Sequence, residues 1–316
     1  LELIPTRHKR THQVAELPTS LEQAILEFFL GTAVRRVRKG AGEPCSMLVN
    51  VSRFTDVQAQ VSDFVEDFMT EVQEVITSEL ARDEDTDQSE LAERLRDVWS
   101  TEFEPELVDV DWEEVRAALP YVSSDMRVEL INAKTTAARS KRRRTMTPDQ
   151  RAREDSRPTI YVGGDVLARG LTLEGLQVSY FVREPRTVDT QMQMGRWFGY
   201  RPGYDDLVRI WMPESTHADF VWSAEIAQEF RELILRMRAK ELTPRDFGLC
   251  VRAHPGGLEI VAANKRRNAE YVSGEILIHG NKFESYYLDA SAEVRAANLD
   301  AAKTLVSRVS ASQPPE

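Results

Sequence analysis

Residues 159–182 read TIYVGGDVLARGLTLEGLQVSYFV. Thr159–Val162 and Gln177–Val182 are short, β-branched and aromatic apolar runs of the buried-strand type. A glycine-rich stretch, Gly163–Gly175, joins them. Outward from this pair, Leu207–Met212 is a further strand candidate. Helical spacing marks 187–200 and also 217–239, through Phe220, Ile226, Phe230, Leu233, Ile234 and Met237. On the N-terminal side, Cys45–Val51 and Arg127–Asn132 are two more strand candidates. Leu21–Arg38 is predicted as a helix with Thr19 or Ser20 as its cap and Gly40 and Gly42 beyond its end. Val57, Val61, Phe64, Val65, Phe68, Val72, Val75, Ile76 and Leu80 form one helical face over 55–81. Residues 88–119 are expected to form two helices broken near Pro105. Strands that alternate with helices predict an α/β fold around a parallel sheet.

The length of 316 residues fits one large α/β domain with additions. The expected division is a helical lead-in (1–43), a main domain (44–240) and a C-terminal extension (241–316) with a strand candidate at Val272–Ile278. No run approaches the roughly 20 apolar residues of a membrane span, and residues 1–12 lack a signal-peptide pattern. The two cysteines, Cys45 and Cys250, exclude a disulfide scaffold and fit a reducing cytosol. The five histidines form no metal-binding cluster, so no metal ligands are assigned.

The formal net charge of −11 is segregated. Residues 63–114 carry 20 acidic and three basic side chains, within an acidic helical insertion over 55–120. Residues 133–157 carry nine basic and three acidic side chains, with almost no large apolar residue. That segment reads as a mobile basic loop. Lys141, Arg142, Arg143 and Arg144 are its densest cluster and the candidate contacts to nucleic-acid phosphates; the alternative is an ordinary solvated surface.

Gly163 and Gly164, directly after a strand, would let backbone amides approach a phosphate closely. The second glycine- and arginine-rich block, DTQMQMGRWFGYR (189–201), places Gln193, Arg196 and Tyr200 at helical spacing and sets Arg196 and Arg201 among aromatics. Buried arginines need anionic partners. Those partners are either a ligand or structural carboxylates such as Asp165, Glu174 and Asp189.

The order of strand, GGDVLARGLTLEG, strand and DTQMQMGRWFGYRPGYDDLVRIW resembles the Z1 domain, with support from LPTSLEQAILEFFLGTAVR (17–35) and MLVNVSRFTDVQAQV (47–61). The resemblance implies the C-terminal, RecA-like half of superfamily 2 helicase-like proteins in bacterial restriction and defence systems. It assigns nucleotide binding to Gly163, Gly164, Asp165, Arg169, Gly170, Thr172 and Gln193, and catalysis to Arg196 and Arg201. Of these, Arg196 is the favoured contact to the γ-phosphate. Thr172 stands where many helicases have Asp, and four residues separate Arg196 from Arg201.

ATP with Mg2+ is the implied cofactor. Expected partners are DNA, an upstream P-loop domain of the same protein and a nuclease subunit or domain. No GxxxxGK[ST] occurs in the chain. Asp83–Thr86 reads as solvated surface rather than a magnesium motif. Two alternatives remain. One is a non-catalytic RecA-like module. The other is a metal-dependent nuclease using carboxylates such as Asp109, Asp111 and Glu114.

Overall fold

The computed structural model describes residues 8–81, 89–168, 173–182, 187–195, 198–199, 201–241, 243 and 291–311. The chain divides into two compact units, Leu1–Arg266 and Arg267–Glu316. In the second unit, helix α10 (Ala292–Ala311) is described. The strand candidate Val272–Ile278 lies outside the described residues.

The first unit is an α/β fold on a five-stranded, all-parallel sheet. Its strands are β1 (Ser46–Asn50), β2 (Arg127–Ile131), β3 (Thr159–Gly163), β4 (Leu176–Phe181) and β5 (Arg209–Trp211), in the order β2-β3-β1-β4-β5. All five coincide with apolar runs in the sequence. Every residue of the central strands β1 and β4 is buried, which is why they read as continuous rather than alternating.

Helices α1 (Thr19–Lys39), α2 (Thr55–Val75), α3 (Glu90–Val98) and α4 (Trp112–Ser123) build the larger core on one face. Leu21, Ile25, Phe28 and Phe29 of α1 are fully buried, so the segment set apart above as a lead-in is part of that core. Its entry differs from the expectation. Pro18 is the N-cap, without a side-chain bond, while the Ser20 hydroxyl hydrogen-bonds the Tyr180 hydroxyl at 2.8 Å. The left-handed Gly40 ends the helix, its N–H donating to the Arg36 carbonyl.

The predicted apolar face of α2 is buried through Val57, Val61, Val65, Phe68 and Val72. The acidic excess lies mainly on the outer faces of α2–α4. Each of α2 and α3 ends in a wide π turn, Ile76–Leu80 and Trp99–Phe103. In the second, the Trp99 and Phe103 rings stack 5.9 Å apart.

The basic segment 133–157 is not a loop. It forms α5 (Thr135–Thr145) and α6 (Pro148–Asp155). Thr147 and Gln150 make a reciprocal capping box, with Pro148 in the first turn. Neither helix buries a residue, so no apolar periodicity betrayed them.

On the opposite face, Leu48, Ile131, Leu167, Leu176, Phe181 and Met194 form a second, smaller core. The elements there are α7 (Asp165–Ala168), α8 (Val188–Gly195) and α9 (Glu214–Ala239).

Candidate functional site

The chain leaves β1 toward the β2 side of the sheet and leaves β4 toward the β5 side. A crevice therefore opens between the C-terminal ends of β1 and β4, where ligands bind in open parallel sheets. The residues along this edge are Asn50 at the end of β1 and Ser52 after it, Asn132 after β2, Gly163 at the end of β3 and Gly164 after it, and Val182 after β4.

Ser52 organises the turn after β1. Its hydroxyl accepts the Phe54 N–H at 3.0 Å and hydrogen-bonds His8 Nε2 at 2.7 Å, and its carbonyl accepts from the Gln58 side-chain amide at 2.8 Å. Asn132 starts α5, its Oδ1 accepting the N–H groups of Lys134 and Thr135 at 2.9 and 3.1 Å. Asn50 is fully buried. Both its side-chain polar atoms, and Oε1 of Gln58, lack a hydrogen-bond partner among the described residues. Unmade bonds of this kind cost roughly 1–3 kcal/mol each. They leave uncompensated polarity buried beneath the C-terminal ends of the strands. Nothing in the sequence singled out Asn50 or Gln58.

The glycines are tightly held. A Cβ on Gly163 would lie 2.3 Å from the Ile131 carbonyl oxygen. One on Gly164 would lie 2.4 Å from Gln58 Nε2 and 2.7 Å from the Ser52 carbonyl oxygen. The space left on the Cβ side is therefore taken by the protein itself. Gly164→Ala is expected to lower stability by about 2 kcal/mol through overpacking, measured by thermal melting. A glycine kept solely for ligand approach would leave the melting temperature unchanged.

Asp165 opens α7. Gln193 is exposed on α8, whereas Gln191 on the same helix is buried and accepts from the Ser223 hydroxyl of α9 at 2.7 Å. The Gln191 amide nitrogen has no partner among the described residues. Arg201 is half-buried just before the turn Asp205–Leu207, and its carbonyl accepts the Tyr204 N–H. Arg169, Gly170, Thr172 and Arg196 lie outside the described residues, as does Asp83–Thr86. Of the carboxylates weighed as structural partners, Asp189 accepts the Thr187 hydroxyl at 2.5 Å.

The carboxylates of the nuclease alternative have structural partners. Asp109 accepts two bonds from Arg38, both at 2.7 Å, which hold its carboxyl below the usual range. Asp111 and Glu114 form the capping box of α4. Among the described residues, no group of three or more His, Cys, Asp or Glu side chains could hold a metal ion. No described helix is long and apolar enough to cross a membrane.

Within the basic cluster on α5, Arg142 pairs with Glu154 and Arg143 pairs with Asp155 at 2.5 and 3.0 Å. Lys141 and Arg144 are exposed. Thus two of the four candidate phosphate contacts face carboxylates of α6.

No curated protein and no solved structure matches the chain. The family model of the Z1 domain matches residues 20–258. That span takes in all five strands and the crevice at their C-terminal ends, so the chain belongs to the Z1 domain family.

Proposed function

We propose that this chain is the second RecA-like half of an ATP-dependent, helicase-like DNA translocase of a bacterial restriction or defence system. The observation that carries the reading is the order β3, Gly163-Gly164-Asp165, β4, α8 at the C-terminal edge of a parallel sheet, beside its switch point. The polar edge formed by Asn50, Ser52 and Gln58 supports it.

ATP bound with Mg2+ would supply the phosphoanhydride whose hydrolysis drives movement. Gly163, Gly164, Asp165, Arg169, Gly170, Thr172 and Gln193 would line this half of the site. Arg196, with Arg201 beside it, would neutralise charge developing on the transferred phosphoryl group. A P-loop domain upstream in the same cytoplasmic protein would cradle the phosphates. Lys141, Arg142, Arg143 and Arg144 would contact the DNA backbone, and cleavage would fall to a nuclease partner.

A second reading is a non-catalytic DNA- or protein-binding module. The tight internal packing around Gly163 and Gly164 favours it. Phosphate release by the purified chain, with and without DNA, tests the division of labour. No turnover is expected from residues 1–316 alone, because the phosphate-cradling lysine loop is absent from this sequence. Robust turnover that Arg196→Ala abolishes would mean that this chain holds a complete site.

A further inference from the structure

The helices α5 and α6 lie against the exposed edge of the sheet without burying a residue. Charge holds them there. Glu154 of α6 pairs with Arg127 of β2 and with Arg142 of α5. Asp155 pairs with Arg143, and Glu129 of β2 pairs with Arg139 of α5 at 2.8 Å. These side chains surround a pocket of about 260 Å3, lined by Arg127, Glu129, Arg139, Arg142, Arg143 and Glu154. Four guanidinium groups therefore converge on one small volume against two carboxylates.

The placement of the acids is informative. Glu154 and Asp155 end α6, where the helix dipole disfavours negative charge. The arginines opposite offset that penalty, with Asp155 held ionised below its usual range chiefly by its bonds from Arg143. The inner Glu154–Arg127 pair is largely shielded from solvent, whereas the outer Arg143–Asp155 pair is open to it, so α6, without apolar burial, is held by charge and is weakest at its Asp155 end. A guanidinium that meets a carboxylate in a planar fork meets a phosphate in the same way.

We propose that Glu154 and Asp155 are internal stand-ins for nucleic-acid phosphates, making α6 a displaceable cover over an arginine site at the β2 edge. The ligand is the phosphodiester backbone, and the inference rests on the DNA-binding part of the proposed function. Bound DNA takes Arg142 and Arg143 in exchange for the two carboxylates. Affinity at this site is thereby set by competition within the chain, and removing an acid strengthens binding by more than its charge alone.

The test is fluorescence anisotropy of a labelled mixed-sequence oligonucleotide, titrated with salt, with the folded state of each variant checked by circular dichroism. Asp155→Asn frees Arg143 at an exposed position, while Glu154 still holds α6 through Arg127 and Arg142. It should tighten binding several-fold and steepen the slope of log K against log salt by up to about 0.9, the value of one added phosphate contact. Asp149→Asn removes the same charge from the exposed first turn of α6 and should have a smaller effect. Adding Arg143→Ala to Asp155→Asn should abolish the gain. Equal gains from the Asp149 and Asp155 variants, or no gain from Asp155→Asn while the wild type binds DNA, would overturn the cover and leave DNA binding intact. No binding by any variant at low salt would overturn both.

Discussion

Glu27→Gln should raise the melting temperature of the first unit at pH 8 and leave it nearly unchanged at pH 4.5. Glu27 lies on α1 and is 1% exposed. Its Oε2 accepts the indole N–H of Trp211 on β5 at 2.7 Å. Burial, opposed in part by that bond and reinforced by the nearby Glu102 charge, raises its pKa from 4.5 to about 7. Arg209 on β5 and Gln23 on α1 pull it back less.

The folded state thus binds this proton more tightly than the unfolded chain does. The stabilisation is complete below about pH 4.5 and is lost as pH rises through about 7. A displacement of this size corresponds to of order 3 kcal/mol at pH 8, or roughly 5–10 °C for a unit of this length. Glutamine keeps a carbonyl acceptor for Trp211 and carries no charge. Thermal melts of both proteins across pH 4.5–8.5 should diverge between about pH 4.5 and 7 and keep a constant separation above that. A difference independent of pH would show that Glu27 is not a buried titrating acid.

On the proposed motor reading, Arg196→Ala in a protein that joins this chain to its P-loop domain should lower kcat for ATP hydrolysis by roughly 10³-fold or more. KM should change far less, because the contact strengthens as charge develops on the phosphoryl group. Arg196→Lys should fail to restore the rate, since an ammonium cannot span two phosphate oxygens in a planar fork. Both variants should melt within a degree or two of the wild type. A purely structural ion pair gives the opposite pattern, a large fall in melting temperature with turnover preserved in the folded fraction. That pattern would transfer the catalytic role to Arg201.

The central sheet and α2 were legible in the sequence because burial there imposes a pattern. All five residues of β1 are buried, and Val57, Val61, Val65, Phe68 and Val72 repeat at helical spacing. Helices α5 and α6 were not legible as helices, because what orders them is charge pairing across the hairpin rather than apolar burial. The local capping signal Thr147-Pro-Asp-Gln150 was present and could have revealed the second. Glu27 looks like any surface glutamate of α1, and the indole that bonds its buried carboxyl, Trp211, is 184 residues away in the chain. Gly163 and Gly164 read as phosphate contacts in the sequence, and their packing role is visible only in the fold. The carbonyls of Ile131 and Ser52 that crowd them come from strand ends remote in sequence. Asn50 resembled the end of a strand, and that its amide has no partner among the described residues emerges only once the sheet is assembled.

Steady-state phosphate release by the proposed two-domain motor, compared with and without DNA, tests that reading most directly. The expected result is ATP hydrolysis that DNA accelerates and that Arg196→Ala abolishes. Metal-dependent DNA cleavage by residues 1–316 with no nucleotide present, or two-domain turnover indifferent to Arg196 and Arg201 alike, would contradict it.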